Sequence, residues 1–296
     1  MNEHTHTNPP QDETILVLGG TGKTGRRIVS RLHALGRNVR IGSRSGTPPF
    51  LWEDATTWAP VLQDITSVYI SYTPDLAAPG APEKIRKLVD LSKTMGIRKL
   101  VLLSGRGEEE AQRCEQIVRT SGIASTIVRC GWFNQNFSEN FIRDMVLDGV
   151  VALPVTTVAE PFVDTDDIAD VAVAALIDDR HVGQLYELTG PELITFPQAV
   201  AEIAKATGRP IHYQPITREQ FVNGLLGQQL PAELVSLLDY LFTTVLDGRN
   251  SYLCDGVERA LGRKPESFAS YCRKVVQAGH WNHVPSNTPS QAPAVS

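Results

Sequence analysis

What the chain lacks narrows its class before any motif is read. Its 296 residues include only 4 cysteines, Cys114, Cys130, Cys254 and Cys272, spread apart with no C-x-x-C pair. That spacing speaks against a disulfide framework or a zinc site and for reduced thiols in a cytoplasmic protein. No apolar run approaches the roughly 20 residues needed to span a bilayer. The opening MNEHTHTNPPQDE has neither the basic start nor the apolar stretch of a secretory signal. Positive charge is in deficit as well, with a net charge of -5, a pI of about 5.8 and no basic reading helix. Neither a nucleic acid nor a membrane is therefore an expected partner.

Two local absences bear on chemistry. From Thr14 to Trp52 there is no Asp or Glu, and nowhere in the chain is there a Tyr-x-x-x-Lys sequence.

What is present is an ordinary globular composition, 42% hydrophobic and 21% charged, long enough for one large domain with a smaller lobe. Residues 1–13, with His4 and His6, and 284–296 are polar and Pro-containing. They read as disordered tails that bury too little surface to order themselves. Between them apolar β-rich runs at 14–18, 38–43, 67–72, 99–104 and 125–130 alternate with helical patterns. These patterns cover 23–35, 81–95 and 108–121, and a longer helix follows Asn136. Runs such as ILVL and KLVLL are continuously apolar, as strands covered on both faces must be. Strand and helix in strict rotation predict an α/β fold, a doubly wound parallel sheet of the Rossmann kind over 14–150.

After Val150 the rhythm loosens. A smaller C-terminal α/β substrate lobe is expected over 151–279, with segments returning to the first domain. Its helices are expected at 196–207, 218–226, 232–246, 257–261 and 266–278, with a strand at 210–214. Another helix begins in FVDTDDIADVA, with Asp166 or Asp167 as its cap. Asp164, Asp166 and Asp167 suit helix opening better than metal binding.

The stretch ILVLGGTGKTGRRIVSRL poses the first chemical question. Gly22-Lys23-Thr24 looks like the end of a nucleotide-triphosphate loop, but the first glycine of G-x-x-x-x-G-K-[ST] would fall on Val17, inside the strand. Dinucleotide spacing is met instead, as Gly20-x-Gly22-x-x-Gly25 and as Gly19-x-x-Gly22-x-x-Gly25. An apolar strand precedes it, and Ile28, Val29, Leu32 and Leu35 stripe the helix after it. The first glycine permits the tight exit, Gly22 lets backbone approach a pyrophosphate, and Gly25 lets the helix pack on the sheet. Free N–H groups at the helix start then face the phosphates. Gly19, Thr21, Gly22, Lys23, Thr24 and Gly25 are the expected cradle, with Lys23 solvent-facing.

A NAD site places Asp or Glu about 20 residues further on, against the ribose hydroxyls. Here that place reads IGSRSG, and the span holds Lys23, Arg26, Arg27, Arg31, Arg37, Arg40 and Arg44. Arg31 and Arg37 read as solvating a helix face. Ser43 and Arg44 can donate to a 2′-phosphate that a carboxylate would repel. NADP(H) is the expected cofactor.

Further segments join these: FLWEDATTWAPVL at 50–62, KLVLLSG at 99–105, TIVRCGWFNQNFSE at 126–139, YELTGPELITFPQAVAEIAKATGRPI and ALGRKPESFASYCRKV. With VLGGTGKTG, the SRS at 43–45 and FVDTDDIADVA, the chain resembles the NmrA-like, atypical branch of the short-chain dehydrogenase/reductase superfamily. Within it the likeness is to the ergot-alkaloid-biosynthesis group that includes agroclavine dehydrogenase. The resemblance covers nearly all of 14–276 and is far more specific for the branch than for a substrate. It implies a cofactor lying along residues 19–25, Ser43 and Arg44, Tyr72 and Thr73, and Ser104 and Gly105. GWFNQN would flank the nicotinamide, and the C-terminal lobe would close over it. The family's Arg-Pro is Arg129-Cys130 here, where Cys130 reads as a small buried thiol ending a strand, with a place in the lining of the site as the alternative.

Most short-chain dehydrogenases use Tyr-x-x-x-Lys as their acid/base pair. In GEEEAQRCEQIVRTSG the two places fall on Ala111 and Glu115, so that pair is absent. Two readings remain. In one, a NADPH-dependent oxidoreductase passes hydride to an imine or iminium, a quinone or a conjugated carbonyl, without a protein acid. Its pocket candidates are Tyr72, Ser104, Trp132, Phe133, Asn136 and Phe162, and Glu115 is expected to be dispensable for turnover. In the other, the chain binds NADP(H) and reports redox state to a regulatory protein, as some NmrA-like proteins do. The expected partners are a small-molecule substrate and either a second copy of the chain or that regulatory protein.

Overall fold

The computed structural model describes residues 13–282, so His4, His6 and the two expected disordered tails, Glu13 excepted, lie outside the described residues. In chain order come β1 (Thr14–Leu18), α1 (Lys23–Ala34), β2 (Asn38–Gly42), α2 (Trp58–Leu62), β3 (Ser67–Ile70) and α3 (Ala81–Thr94). Next are β4 (Lys99–Gly105), α4 (Glu109–Arg119), β5 (Ala124–Cys130), α5 (Asn136–Glu139), α6 (Phe141–Asp148) and β6 (Val150–Leu153). β7 (Ala159–Glu160), α7 (Thr165–Ile177), β8 (Leu185–Leu188), β9 (Ile194–Thr195), α8 (Phe196–Thr207) and β10 (His212–Pro215) follow. The chain ends in α9 (Arg218–Gly227), α10 (Ala232–Tyr240), α11 (Gly256–Leu261) and α12 (Phe268–Gln277).

Six parallel strands form the central sheet in the order β2-β1-β3-β4-β5-β8, the doubly wound arrangement that the alternating pattern predicts. Successive side chains point to opposite faces. Leu16, Leu18, Val68, Ile70, Leu100 and Leu102 pack with Ile85 and Leu88 of α3 and Val118 of α4. Ile15, Val17, Tyr69, Val101 and Val128 pack with Ile28 and Leu32 of α1 and Ile168 and Ala172 of α7. Both faces of β1, β3 and β4 are covered, so these strands carry no polar alternation, whereas the edge strand β2 is partly exposed and alternates. Each fully buried Leu or Ile contributes roughly 2 kcal/mol. Ala169, Ala172 and Ala175 of α7 have no exposed surface, and their small size lets the helix lie close to both α1 and the sheet.

A second core holds the lobe. Phe162 sits 5.0 Å from Phe196 between ring centroids, and Phe137 sits 5.4 Å from Phe268. This core recruits Phe137, Ile142 and Val146, ahead of the break expected near Val150, while α7, β8 and α11 return to the central sheet.

Three expectations need correction. The single helix after Asn136 is two, because Asn140 is extended and its side chain accepts the Ile142 N–H at 3.2 Å, starting α6 afresh. The helix expected over 232–246 leaves α-helical geometry after Tyr240 and continues as a π-helical turn over Leu241–Val245. Asp164 caps α7, its carboxylate accepting the Asp166 N–H at 2.8 Å. Asp166 and Asp167 are engaged elsewhere, the first with Arg27 and Arg31, the second with Arg263.

Candidate active site

The strand order reverses at β1, with β2 on one side and β3 on the other. The carboxyl ends of β1 and β3 therefore open the crevice in which open α/β sheets bind ligands. The glycine turn sits there. Gly19 has φ +68°, a left-handed conformation that suits glycine, and the Gly22 N–H donates to its carbonyl at 2.8 Å. A Cβ on Gly25 would fall 2.1 Å from that carbonyl oxygen, so packing requires glycine there. One on Gly22 would meet only the same oxygen, at 3.2 Å, and otherwise open space. Gly22 also stands at the N-cap of α1, where no side chain caps the helix and the first turn has no acid. Free N–H groups, the positive helix end and an open glycine face fit a pyrophosphate.

The cations that accompany the missing acid divide into two groups. Most hold the lobe or the chain in place. Arg26 and Arg27 pair with Glu139 at 2.6 and 2.9 Å, and Arg40 donates to the carbonyls of Val61 and Gln63. Arg31 does not merely solvate its helix, since it pairs with Asp166 at 2.9 Å and Asp170 at 2.5 Å. Arg44 is different. It is exposed just past β2, has no ion pair among the described residues, and follows a half-buried Ser43. Lys23 is not solvent-facing either: its ammonium donates to Asn136 Oδ1 at 2.7 Å. Burial lowers its pKa to about 8 against the pull of Glu139.

Beyond the glycine turn lies a cavity of about 420 Å³. Gly22, Lys23, Thr24, Tyr72 and Thr73 line it, as do Ser104, Gly105, Trp132, Phe133 and Asn136. From the lobe, Leu237, Leu241 and Phe242 complete its wall, and Trp132 packs on Phe242 at 4.9 Å. Tyr72 also leans on Trp52, 4.8 Å away, and burial raises its phenol pKa. Thr24 Oγ1 accepts the Tyr69 hydroxyl at 2.9 Å.

Phe162 is a correction. Only 2% exposed in the aromatic core of the lobe, it does not reach the cavity. Gly19, Thr21, Gly25, Ser43 and Arg44 are likewise not in the cavity wall. They belong to the glycine turn and to the neighbouring end of β2.

At the place of the absent acid/base pair, Ala111 is fully buried and Glu115 is already occupied. The Glu115 carboxylate accepts the Ser104 hydroxyl at 2.6 Å and two Arg129 N–H bonds at 2.8 and 2.5 Å. Arg129 reaches Glu187 at 3.4 Å, and Glu187 holds Arg106 at 2.7 Å. Arg106 also donates to the carbonyls of Asn250 and Tyr252 and lies 4.3 Å from the Tyr252 ring centroid. This row of alternating charges ties the end of β4 to the lobe. Cys130 ends β5 and meets both readings, buried with Sγ 3.7 Å from the Val128 carbonyl and in the cavity wall, and burial holds its thiol well above the usual range.

The sequence did not single out Asp75 or Glu108, both in the cavity wall. GEEE reads as the acidic opening of α4, yet Glu108 is buried whereas Glu109 is exposed.

The NmrA-like family profile matches residues 109–271, more than half of the chain. The chain belongs to the NmrA-like family. This NmrA-like protein is 30% identical to the uncharacterized oxidoreductase YesF of Bacillus subtilis (strain 168), over 90% of this chain and 96% of that one. It is 27% identical to the agroclavine dehydrogenase of Claviceps fusiformis, over 87% and 96% of the two chains. The solved NADPH-dependent quinone oxidoreductase of Escherichia coli, complexed with NADPH, matches with a TM-score of 0.73 at 19% identity, over 88% and 99%. At the level these likenesses reach, this is an oxidoreductase of the NmrA-like family. Among the described residues, no helix is long and apolar enough to cross a membrane.

Proposed function

We propose that the protein is a NADPH-dependent reductase passing hydride to a small organic acceptor: an imine or iminium, a quinone or a conjugated carbonyl. One observation carries this reading. One cavity is lined by Gly22, at the start of α1, by Ser104 and Gly105, and by the apolar side chains of Trp132, Leu237 and Phe242. Its polar end suits a dinucleotide and its apolar end a flat acceptor. A bound reduced nicotinamide supplies the hydride. The α1 N-terminus and Gly22 take the pyrophosphate, and Ser43 and Arg44 take the 2′-phosphate. The aromatic wall orients the acceptor and keeps water from it. The agroclavine dehydrogenase and quinone oxidoreductase likenesses support the assignment.

Fluorescence titration with NADPH and NADH, followed by turnover on cyclic imines, quinones and enones, tests it. NADPH should bind more tightly and be oxidised. Arg44→Ala should weaken NADPH by roughly 10- to 100-fold, the worth of a hydrogen bond to a charged group, and NADH far less. Equal losses for both would overturn the 2′-phosphate assignment. Binding without turnover on any acceptor would replace the reductase by a redox sensor.

A further inference from the structure

Two carboxyl groups enter the cavity wall from different strand ends, Asp75 after β3 and Glu108 after β4. Glu108 stands at the N-cap of α4 yet makes no cap bond. Its side chain lies instead over Gly105, where an added Cβ would come within 2.2 Å of its Oε1. Glycine at 105 is what leaves this carboxyl its place. Glu108 is 6% exposed, and its Oε2 is buried with no hydrogen-bond partner among the described residues. Asp75 accepts the Ala77 N–H at 2.8 Å and lines the same cavity as Glu108, where the charge of each carboxylate opposes ionisation of the other.

Two carboxyl groups in one buried corner repel when both are ionised, and an unpartnered buried oxygen is costly as a carboxylate, so the pair keeps one proton. The groups that face the pair do not drive that proton off. They are Glu115 and Cys114 of α4, Cys130 of β5 and Tyr240 of α10, and none is a cation. Nearby guanidiniums are committed, Arg106 to Glu187 and Arg249 to Asp247. Burial first, then the Asp75 charge, hold the Glu108 carboxyl well above the usual range, and burial raises Asp75.

We propose that the Asp75–Glu108 pair is the proton donor of the reaction, with Glu108 as the catalytic acid that protonates the acceptor heteroatom. The inference rests on the reductase reading and narrows it. Hydride addition to the acceptor carbon breaks the π bond of C=X, and that electron pair moves to X. X forms its bond to the Glu108 proton as the carboxyl O–H breaks, and the nicotinamide leaves oxidised. Water then restores the proton to the pair. Such a donor is wasted on a preformed iminium, which ends as a neutral amine with no proton needed. It serves neutral acceptors, namely quinones, conjugated carbonyls and uncharged imines.

The test uses the full chain, Glu108→Gln and Asp75→Asn. In the protein without cofactor, infrared difference spectra between wild type and Glu108→Gln should show the C=O stretch of a protonated carboxyl at neutral pH. Turnover of an enone should fall about 100-fold more than turnover of an N-alkylated cyclic iminium in Glu108→Gln, as loss of a general acid requires. Wild-type enone turnover should decline with rising pH as the pair loses its proton, and Asp75→Asn should shift that decline. Absence of the protonated band, or equal losses on both acceptors, overturns the donor and leaves the reductase reading standing. Failure of the wild type to turn over any acceptor while binding NADPH overturns that reading, and the donor with it.

Discussion

Lys23 donates a hydrogen bond to the side-chain oxygen of Asn136 at 2.7 Å, joining the first residue of α1 to the first residue of α5. Burial holds this ammonium at about 8, so it is partly neutral just above physiological pH. A phosphate beside it favours the charged form, and binding above that pH must then take up a proton. NADPH affinity should fall as pH rises through about 8. Calorimetry in buffers of different ionisation enthalpy should show the uptake. In Lys23→Met both effects should vanish; persistence of either would assign the proton to another group.

The glycine turn separates two roles that one motif conflates. Gly25→Ala places a methyl group 2.1 Å from the Gly19 carbonyl oxygen, an overlap that backbone cannot relieve cheaply. Gly22→Ala meets only a 3.2 Å contact. Circular dichroism and thermal melting should therefore show Gly22→Ala folded and Gly25→Ala destabilised by several kcal/mol, on the scale of the worst overpacking. Gly22→Ala should nevertheless lose most of its NADPH affinity, because the methyl group occupies the approach to the pyrophosphate. Normal binding by Gly22→Ala would move the phosphates elsewhere.

Glu115 holds Ser104 and Arg129 together from within the protein. Its removal leaves Arg129 with only the longer contact to Glu187, at 3.4 Å. Breaking a buried pair from one side costs about 3 kcal/mol. Urea denaturation of Glu115→Ala should show a loss of that order, and Glu115→Gln, which can still accept from Ser104, a smaller one. A loss near zero would mean the row of charges contributes nothing to the fold.

Glu160 in β7 has no exposed surface, and neither carboxylate oxygen has a partner among the described residues. Burial raises its pKa from 4.5 to about 7. Between those values the folded protein holds a proton that the unfolded chain releases, so folding is favoured at low pH and penalised as pH rises. The contribution is fully present below 4.5 and lost as pH passes about 7. Glu160→Gln should match wild type near pH 4.5 and exceed it by roughly 3 kcal/mol at pH 8, since each pH step between the folded and unfolded values weighs about 1.4 kcal/mol. Parallel pH curves for the two proteins would remove Glu160 as the cause.

The parts of the fold and site that local chemistry dictates were legible. The run ILVL, the glycine spacing and the stripe of Ile28, Val29 and Leu32 each depend on near neighbours in the chain, and the turn stands where they put it; Leu35, expected in the same stripe, follows the end of α1 and is exposed. What failed depends on depth and on distant partners. Phe162 and Trp132 look alike in a sequence, but the first is walled in by Phe137, Phe196 and Phe268, rings far along the chain. Arg31 looked like a solvated residue because its partners, Asp166 and Asp170, come from α7, 135 and 139 residues further along the chain. Glu108 was hidden in a run of three acids, where only the packing over Gly105 singles it out.

β8 binds alongside β5 through the register from Ile127↔Leu185 to Cys130↔Leu188. The last strand of the sheet thus arrives only after the chain has left, built part of another layer and come home. A truncated version ending near residue 150 would expose the backbone of β5 as a bare ribbon, ready to zip onto its own copies. The coenzyme-holding half is not a detachable module, and a ribosome must deliver residue 188 before the sheet is sealed.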